Sequence, residues 1–163
     1  MRKILIAIIA VAVMGAVITQ VIRPYERSVP EAFKDGMYFV DWQVYADPNA
    51  GYSFRYPSFL EKERDDGKGN VTFGYHSHGI NIVMEMRVDS VVDFEAHGND
   101  IIRTGQVPDI DGYGFFSHYV RHDGRWYALT LLYPYSCKDG AAEIMRVIKW
   151  WRPFERKRNF TTM

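Results

Sequence analysis

Residues 80–88 read Ile-Asn-Ile-Val-Met-Glu-Met-Arg-Val. Every second residue from Ile80 to Val88 is apolar, whereas Asn81, Glu85 and Arg87 alternate with them. Side chains of a β-strand point alternately to the two faces of its sheet. The pattern therefore predicts a strand with one buried face and one wet face, which is typical of an antiparallel sheet.

The sequence on both sides of this stretch predicts further strands and two helices. Asp123-Gly124 separates two apolar runs and favours a tight hairpin turn between them. The charged and glycine-rich stretch 61–70 is expected to form a surface loop. Together these elements predict an α+β fold with a mainly antiparallel β-sheet and helices packed on it. The other candidate strands are 37–45, 52–56, 71–76, 115–121 and 126–133, and the candidate helices are a weak one at 93–104 and a closing one at 140–151.

A hydrophobic helix is expected to precede this domain. Residues 4–22 contain no charged residue, follow Arg2 and Lys3, and end before Arg23. Nineteen helical residues span roughly 28 Å, which is close to the thickness of a bilayer core, about 30 Å. The positive start favours a cytoplasmic amino terminus, so the rest of the chain is expected on the extracytoplasmic side.

Residues 1–23 fit two kinds of export segment. Ala16 could end a signal-peptide cleavage site, which would release the domain as a secreted or periplasmic protein, but Met14 is large for the position two residues earlier. An uncleaved signal anchor would instead hold the protein to the membrane through residues 4–22. The predicted organisation is a signal anchor or signal peptide at 1–23, a linker at 24–36, an α+β domain at 37–154 and a basic tail at 155–163.

The charge distribution limits the classes of partner. The whole chain has no net charge, but residues 24–145 carry 11 basic and 19 acidic side chains, whereas residues 146–163 carry six basic side chains and Glu155. An acidic body argues against binding of nucleic acid. A basic tail next to Trp150 and Trp151 suits contact with anionic lipid or a helix that packs on the sheet.

Three short motifs resemble the PsbP-like superfamily, which contains extrinsic proteins of photosystem II and a Ran-binding protein family. Residues 51–57 (GYSFRYP) are similar to the opening strand of such domains, residues 128–134 (ALTLLYP) to a late strand, and residues 149–154 (KWWRPF) to the end of the last helix. The resemblance covers residues 37–154 and implies a PsbP-like α/β sandwich. Because such domains are mostly accessory or binding modules, it also implies a role without catalysis.

Four histidines are the candidate metal ligands. His76 and His78 share a strand face if the strand continues, and so do His118 and His122. Imidazoles from two strands could hold zinc or copper. Cys137 is the single cysteine, so the chain forms no intramolecular disulfide, and we expect its thiol to be buried.

The sequence favours a membrane-anchored or exported accessory or binding domain without catalytic activity, whose partner is another envelope protein. No P-loop, dinucleotide fingerprint or nucleophile elbow occurs in the chain. Two alternatives remain open. One is a metal-binding protein or metal-dependent enzyme that uses His76, His78, His118 and His122, and the other is a module that binds a small molecule or a lipid.

Overall fold

The computed structural model describes residues 27–108 and 110–154. Two helices and eight strands follow one another, with one-turn 3₁₀ helices at Met37–Phe39 and Tyr135–Cys137. The helices are α1 (Val29–Gly36) and α2 (Lys138–Lys149), and the strands are β1 (Trp42–Asp47), β2 (Tyr52–Pro57), β3 (Glu61–Asp65), β4 (Val71–Ser77), β5 (Ile80–Asp89), β6 (Asp100–Gln106), β7 (Tyr113–His122) and β8 (Arg125–Pro134).

Six of the strands form one sheet in the order β3-β4-β5-β8-β7-β6, and every neighbouring pair is antiparallel. Strands β1 and β2 form a separate antiparallel hairpin. Asp123 and Gly124 join β7 to β8 with φ values of 48° and 77°, as the predicted tight turn requires. The α+β class with a mainly antiparallel sheet is confirmed.

The central strands β5 and β8 bury the apolar face that the alternation predicts. Ile82, Met84 and Met86 of β5 are fully buried, as are Leu129 and Leu131 of β8. Met84 lies opposite Leu131 in the register, and Met86 lies opposite Leu129, so the two strands present one continuous apolar surface. This surface is the centre of the hydrophobic core.

Helix α2 and the β1–β2 hairpin cover that surface. Ile144 and Ile148 of α2 are fully buried in the core, at the spacing expected for one helix face. Trp151 follows α2, is buried, and donates its indole N–H to the carbonyl oxygen of Ser53 over 2.7 Å. This bond ties the end of α2 to the hairpin. The helix begins and ends two residues earlier than the predicted bounds of 140–151.

The predicted helix at 93–104 is wrong. Residues 90–99 are irregular, and Asp100–Gln106 is the edge strand β6, which pairs along its whole length with β7. Gly98 has a φ of 103°, which a right-handed helix does not accept. The free edge of β7 offers these residues a ladder of backbone hydrogen bonds, and that tertiary contact outweighs a weak helical pattern.

Two segments expected to be irregular form regular structure. Within the predicted surface loop at 61–70, Glu61–Asp65 is strand β3, whose five residues are all exposed. Within the predicted linker at 24–36, Val29–Gly36 is helix α1. The backbone N–H of Ser28 donates to Glu31 Oε2 over 3.0 Å at its start, which is one half of a capping box. Phe33 of α1 then packs against Phe59 and the helix contacts α2.

The expected export segment at 1–23 and the basic tail at 155–163 lie outside the described residues. Within residues 27–108 and 110–154, no helix combines the length and the hydropathy needed to cross a bilayer.

Adjacent leucines provide a matched test of the two sheet faces. Leu131 is fully buried beneath α2, whereas Leu132 points to the other face and is partly exposed. We expect Leu131→Ala to lower the free energy of unfolding by about 2–5 kcal/mol, because it leaves a cavity in the core. Leu132→Ala should cost no more than about 1.5 kcal/mol. Urea unfolding of both variants measures the difference, and equal losses would contradict the assignment of the faces.

Candidate functional site

The second face of the six-stranded sheet is the candidate site, because the helices and the β1–β2 hairpin pack on the other one. The alternate residues of its central strands point to this face, which combines apolar, hydroxyl and charged side chains. A groove of about 760 Å³ runs over it, here named the open-face groove. Its lining comprises Glu85, Arg87 and Asp89 of β5, Trp126, Ala128, Thr130 and Leu132 of β8, Phe115, Ser117 and Tyr119 of β7, and Val91, Val92, Asp93, Val107 and Pro108 of two loops.

A row of polar side chains crosses the middle of the groove. Glu85 lies opposite Thr130, Thr130 opposite Ser117, and Ser117 opposite Arg103 of the edge strand. The hydroxyl groups of Ser117 and Thr130 hydrogen-bond to each other over 2.8 Å, and Glu85 pairs with Arg87 at the same distance. The Ser117–Thr130 bond joins two strands, and cross-strand pairs of this kind stabilise a sheet. Ser117 is buried, so Glu85 and Thr130 are the members of the central strands that offer hydrogen-bonding groups between two apolar patches.

The irregular segment 90–99 forms one wall of the groove. Phe94 makes an edge-to-face contact with Tyr119, with ring centroids 5.0 Å apart, and the Arg103 guanidinium lies 4.2 Å from the Phe94 ring centroid. Asp93 pairs with Arg103 at 3.8 Å. These contacts hold the wall against the sheet, while Val91 beside it stays 76 % exposed. The groove thus has a folded side wall with an apolar rim.

The sequence did not predict this site as a set of residues. Ser117, Thr130 and Leu132 were recognised only as members of strands, and Val91 was not assigned to any element. Period-two alternation could have placed the strand residues on the wet face. The alternation does not predict the order of the strands in the sheet. That order brings Glu85 and Thr130, which are 45 positions apart, side by side.

The four candidate metal ligands are dispersed. His76 lies on the open face of β4, and His118 lies on the covered face of β7, with β5 and β8 between their strands. His78 is in the β4–β5 turn, whereas His122 is next to the β7–β8 turn at the opposite end of the sheet. No group of three or more His, Cys, Asp or Glu side chains within residues 27–108 and 110–154 could hold a metal ion. The structure therefore does not bring the four histidines together.

Each of three histidines has a structural partner instead. His118 is fully buried, and its Nδ1–H donates to the carbonyl oxygen of Ile148 over 2.8 Å while Nε2 contacts Asp100 Oδ1 over 2.8 Å. It joins strand β7 to the end of α2 and to the edge strand. His122 stacks on Phe154 with ring centroids 4.0 Å apart. His76 lies between Asn81 and Glu63.

The cysteine is buried, as predicted. Burial raises the pKa of the Cys137 thiol, because a thiolate is poorly solvated there, and Ser136 opposes this shift only weakly. Nucleophilic cysteines need a lowered pKa and access to solvent. The environment of Cys137 is that of a core residue.

No protein-family model matches the chain, and no curated protein is significantly similar to it.

The contacts of His76 predict a measurable titration. Its hydrogen bonds to Asn81 and then to Glu63 favour the charged ring and raise the pKa above the ordinary value of 6.5. The stabilisation is therefore complete below pH 6.5 and is lost as the pH rises through the higher folded-state pKa. Histidine NMR titration should show a midpoint above 6.5 that falls in Glu63→Gln. The matched variant Glu61→Gln removes a charge two residues from Glu63 and leaves the bond between Glu63 and His76 intact. It should leave the midpoint of the His76 titration unchanged. A midpoint that Glu63→Gln does not move would contradict the assignment.

Proposed function

We propose that this protein is an extracytoplasmic accessory domain, membrane-anchored or exported through residues 1–23, that binds another envelope protein at the open-face groove. The observation that carries the proposal is the sheet face on which no helix or hairpin of residues 27–108 and 110–154 packs, where apolar patches flank a polar row. Its role is to hold a partner, and no chemical step is assigned to it.

The composition of the groove supports a protein as the partner. A water-facing side of an antiparallel sheet usually carries polar residues in alternation with the core. Here Val83, Leu132 and Phe115 lie next to one another in the register, Ala128 lies on the other side of Thr130, and each of the four is only partly covered. Protein interfaces commonly combine apolar patches with hydrogen-bonding groups and a polar rim. Glu85 in the polar row, with Arg87, Asp89 and Arg121 beside it, supplies charge of both signs.

The rest of the chain agrees with this role. The apolar run 4–22 supports export or anchoring, and the excess of acidic residues in 24–145 disfavours nucleic acid. The resemblance of residues 51–57, 128–134 and 149–154 to PsbP-like domains also favours an accessory or binding module. An α/β sandwich of the PsbP-like kind is the fold we propose on that basis.

Site-specific photocrosslinking of the full chain in native membranes tests the proposal. A photoreactive residue at Leu132 should give a discrete crosslinked band, because this position lies on the floor of the open-face groove. The same residue at Val44, which is 65 % exposed on β1 and outside the open face, is the matched control.

The band from position 132 should disappear when Ala128→Arg fills the groove with a charged side chain. It should persist with Arg55→Ala, a change on the hairpin. Equal crosslinking from positions 132 and 44, or a band that Ala128→Arg does not weaken, would contradict binding at this face.

A further inference from the structure

A second surface, distinct from the open face, lies where the described chain begins. Helix α1 and the turn after it carry large side chains that have little protein contact: Phe39 is 88 % exposed, Tyr38 is 76 % exposed and Val29 is 41 % exposed. Beside them is a groove of about 570 Å³, here named the α1 groove. Val29 and Phe39 line this groove, and Tyr38 lines the neighbouring one. Large exposed apolar side chains grouped around a groove are typical of an interaction surface.

The α1 groove is preformed and apolar. Phe33, Phe59 and Tyr75 form a chain of edge-to-face contacts along it, with ring centroids 5.9 Å and 5.3 Å apart. Ile80 and Met37 complete the apolar lining. Helix α1 packs closely on α2 at Gly140. A Cβ atom at this position would collide with the Phe33 ring, so glycine allows the close approach.

Two ion pairs lie near this surface, and Asp41 also lines the α1 groove. Arg27 contacts Asp35 at 3.0 Å, and Lys34 contacts Asp139 at 3.5 Å. A surface of exposed aromatic rings with no excess of basic side chains does not select for anionic partners. It suits the region between the headgroups and the acyl chains of a bilayer, where the amphipathic tyrosine ring in particular is favoured.

The sequence places this surface close to the expected membrane segment. The apolar run ends at Ile22, and five residues further along the chain is Arg27, which lines the α1 groove. Five residues reach at most about 18 Å. A domain tethered at Ile22 must therefore keep the α1 end near the bilayer surface.

We propose that the α1 groove, with Val29, Tyr38 and Phe39, rests on the phospholipid surface of the membrane that holds residues 4–22. This inference rests on the membrane anchoring in the proposed function. The β4–β5 turn, whose His78 lines the groove, then points toward the bilayer, and the β7–β8 turn at the opposite end of the sheet points away. The open-face groove stands beside the membrane, accessible to a neighbouring envelope protein.

Fluorescence of the full chain in phosphatidylcholine vesicles tests this arrangement. In a Cys137→Ser background, an environment-sensitive dye is attached to Phe39→Cys or to Lys68→Cys. Lys68 is exposed in the β3–β4 turn, at the other end of β4 from His78, and is the matched control. We expect spin-labelled lipid to quench the dye at position 39 several-fold more strongly than the dye at position 68.

Vesicle flotation measured on the same samples separates the two proposals. A chain that fails to float refutes membrane anchoring, and this inference with it. A chain that floats, with equal quenching at positions 39 and 68, overturns the docking alone. Disulfide-linked dimers through unlabelled Phe39→Cys would show that a second copy covers the surface, and would also overturn the docking.

A double substitution tests the same contact from the other end of the domain. When Tyr38→Ser and Phe39→Ser are introduced into the labelled Lys68→Cys chain, flotation should be unchanged. Quenching at position 68 should increase, because the α1 end no longer holds the domain in one orientation on the bilayer.

Discussion

The rest of the structure depends on the pairing of β5 with β8 at the centre of the sheet. Because successive side chains point to opposite faces, a register that places Met84 beside Leu131 sends the fully buried apolar residues of both strands to one side. That side must be covered, and α2 and the β1–β2 hairpin supply the cover. A shift of one residue would exchange the faces and expose the core, so the register is strongly specified.

The same alternation creates the open face. Side chains that are excluded from the core, among them Glu85, Thr130 and Ser117, line up across neighbouring strands as a consequence of the register. The edges of the sheet differ. Strand β3 consists of charged residues and has an irregular register, which protects it from pairing with other chains. Strand β6 carries fewer charges and is joined to the body through Asp100, which contacts both His118 and Arg152.

The two proposed surfaces belong to one arrangement. The α1 surface is at the end of the domain that the chain enters from residues 1–26, and the open-face groove lies along the side of the sheet. A domain held at the bilayer through α1 would keep its open face oriented toward proteins in the same membrane. Restricting the orientation in this way raises the effective concentration of the groove for a neighbouring partner without any new contact.

The linear sequence was sufficient for features that depend on local periodicity. The alternation in 80–88 predicted a strand and its buried side, Asp123-Gly124 predicted the turn, and the closing helix was predicted with bounds two residues too late. Strand β6, helix α1 and the dispersal of His76 and His118 required the tertiary structure. Their cause is contact between distant segments. Strand β7 offers an edge to residues 100–106, α2 and Phe59 give α1 a surface on which to pack, and the strand order places two strands between His76 and His118. Local patterns encode which way a side chain points within its own element, whereas the neighbours of that element are set by long-range packing.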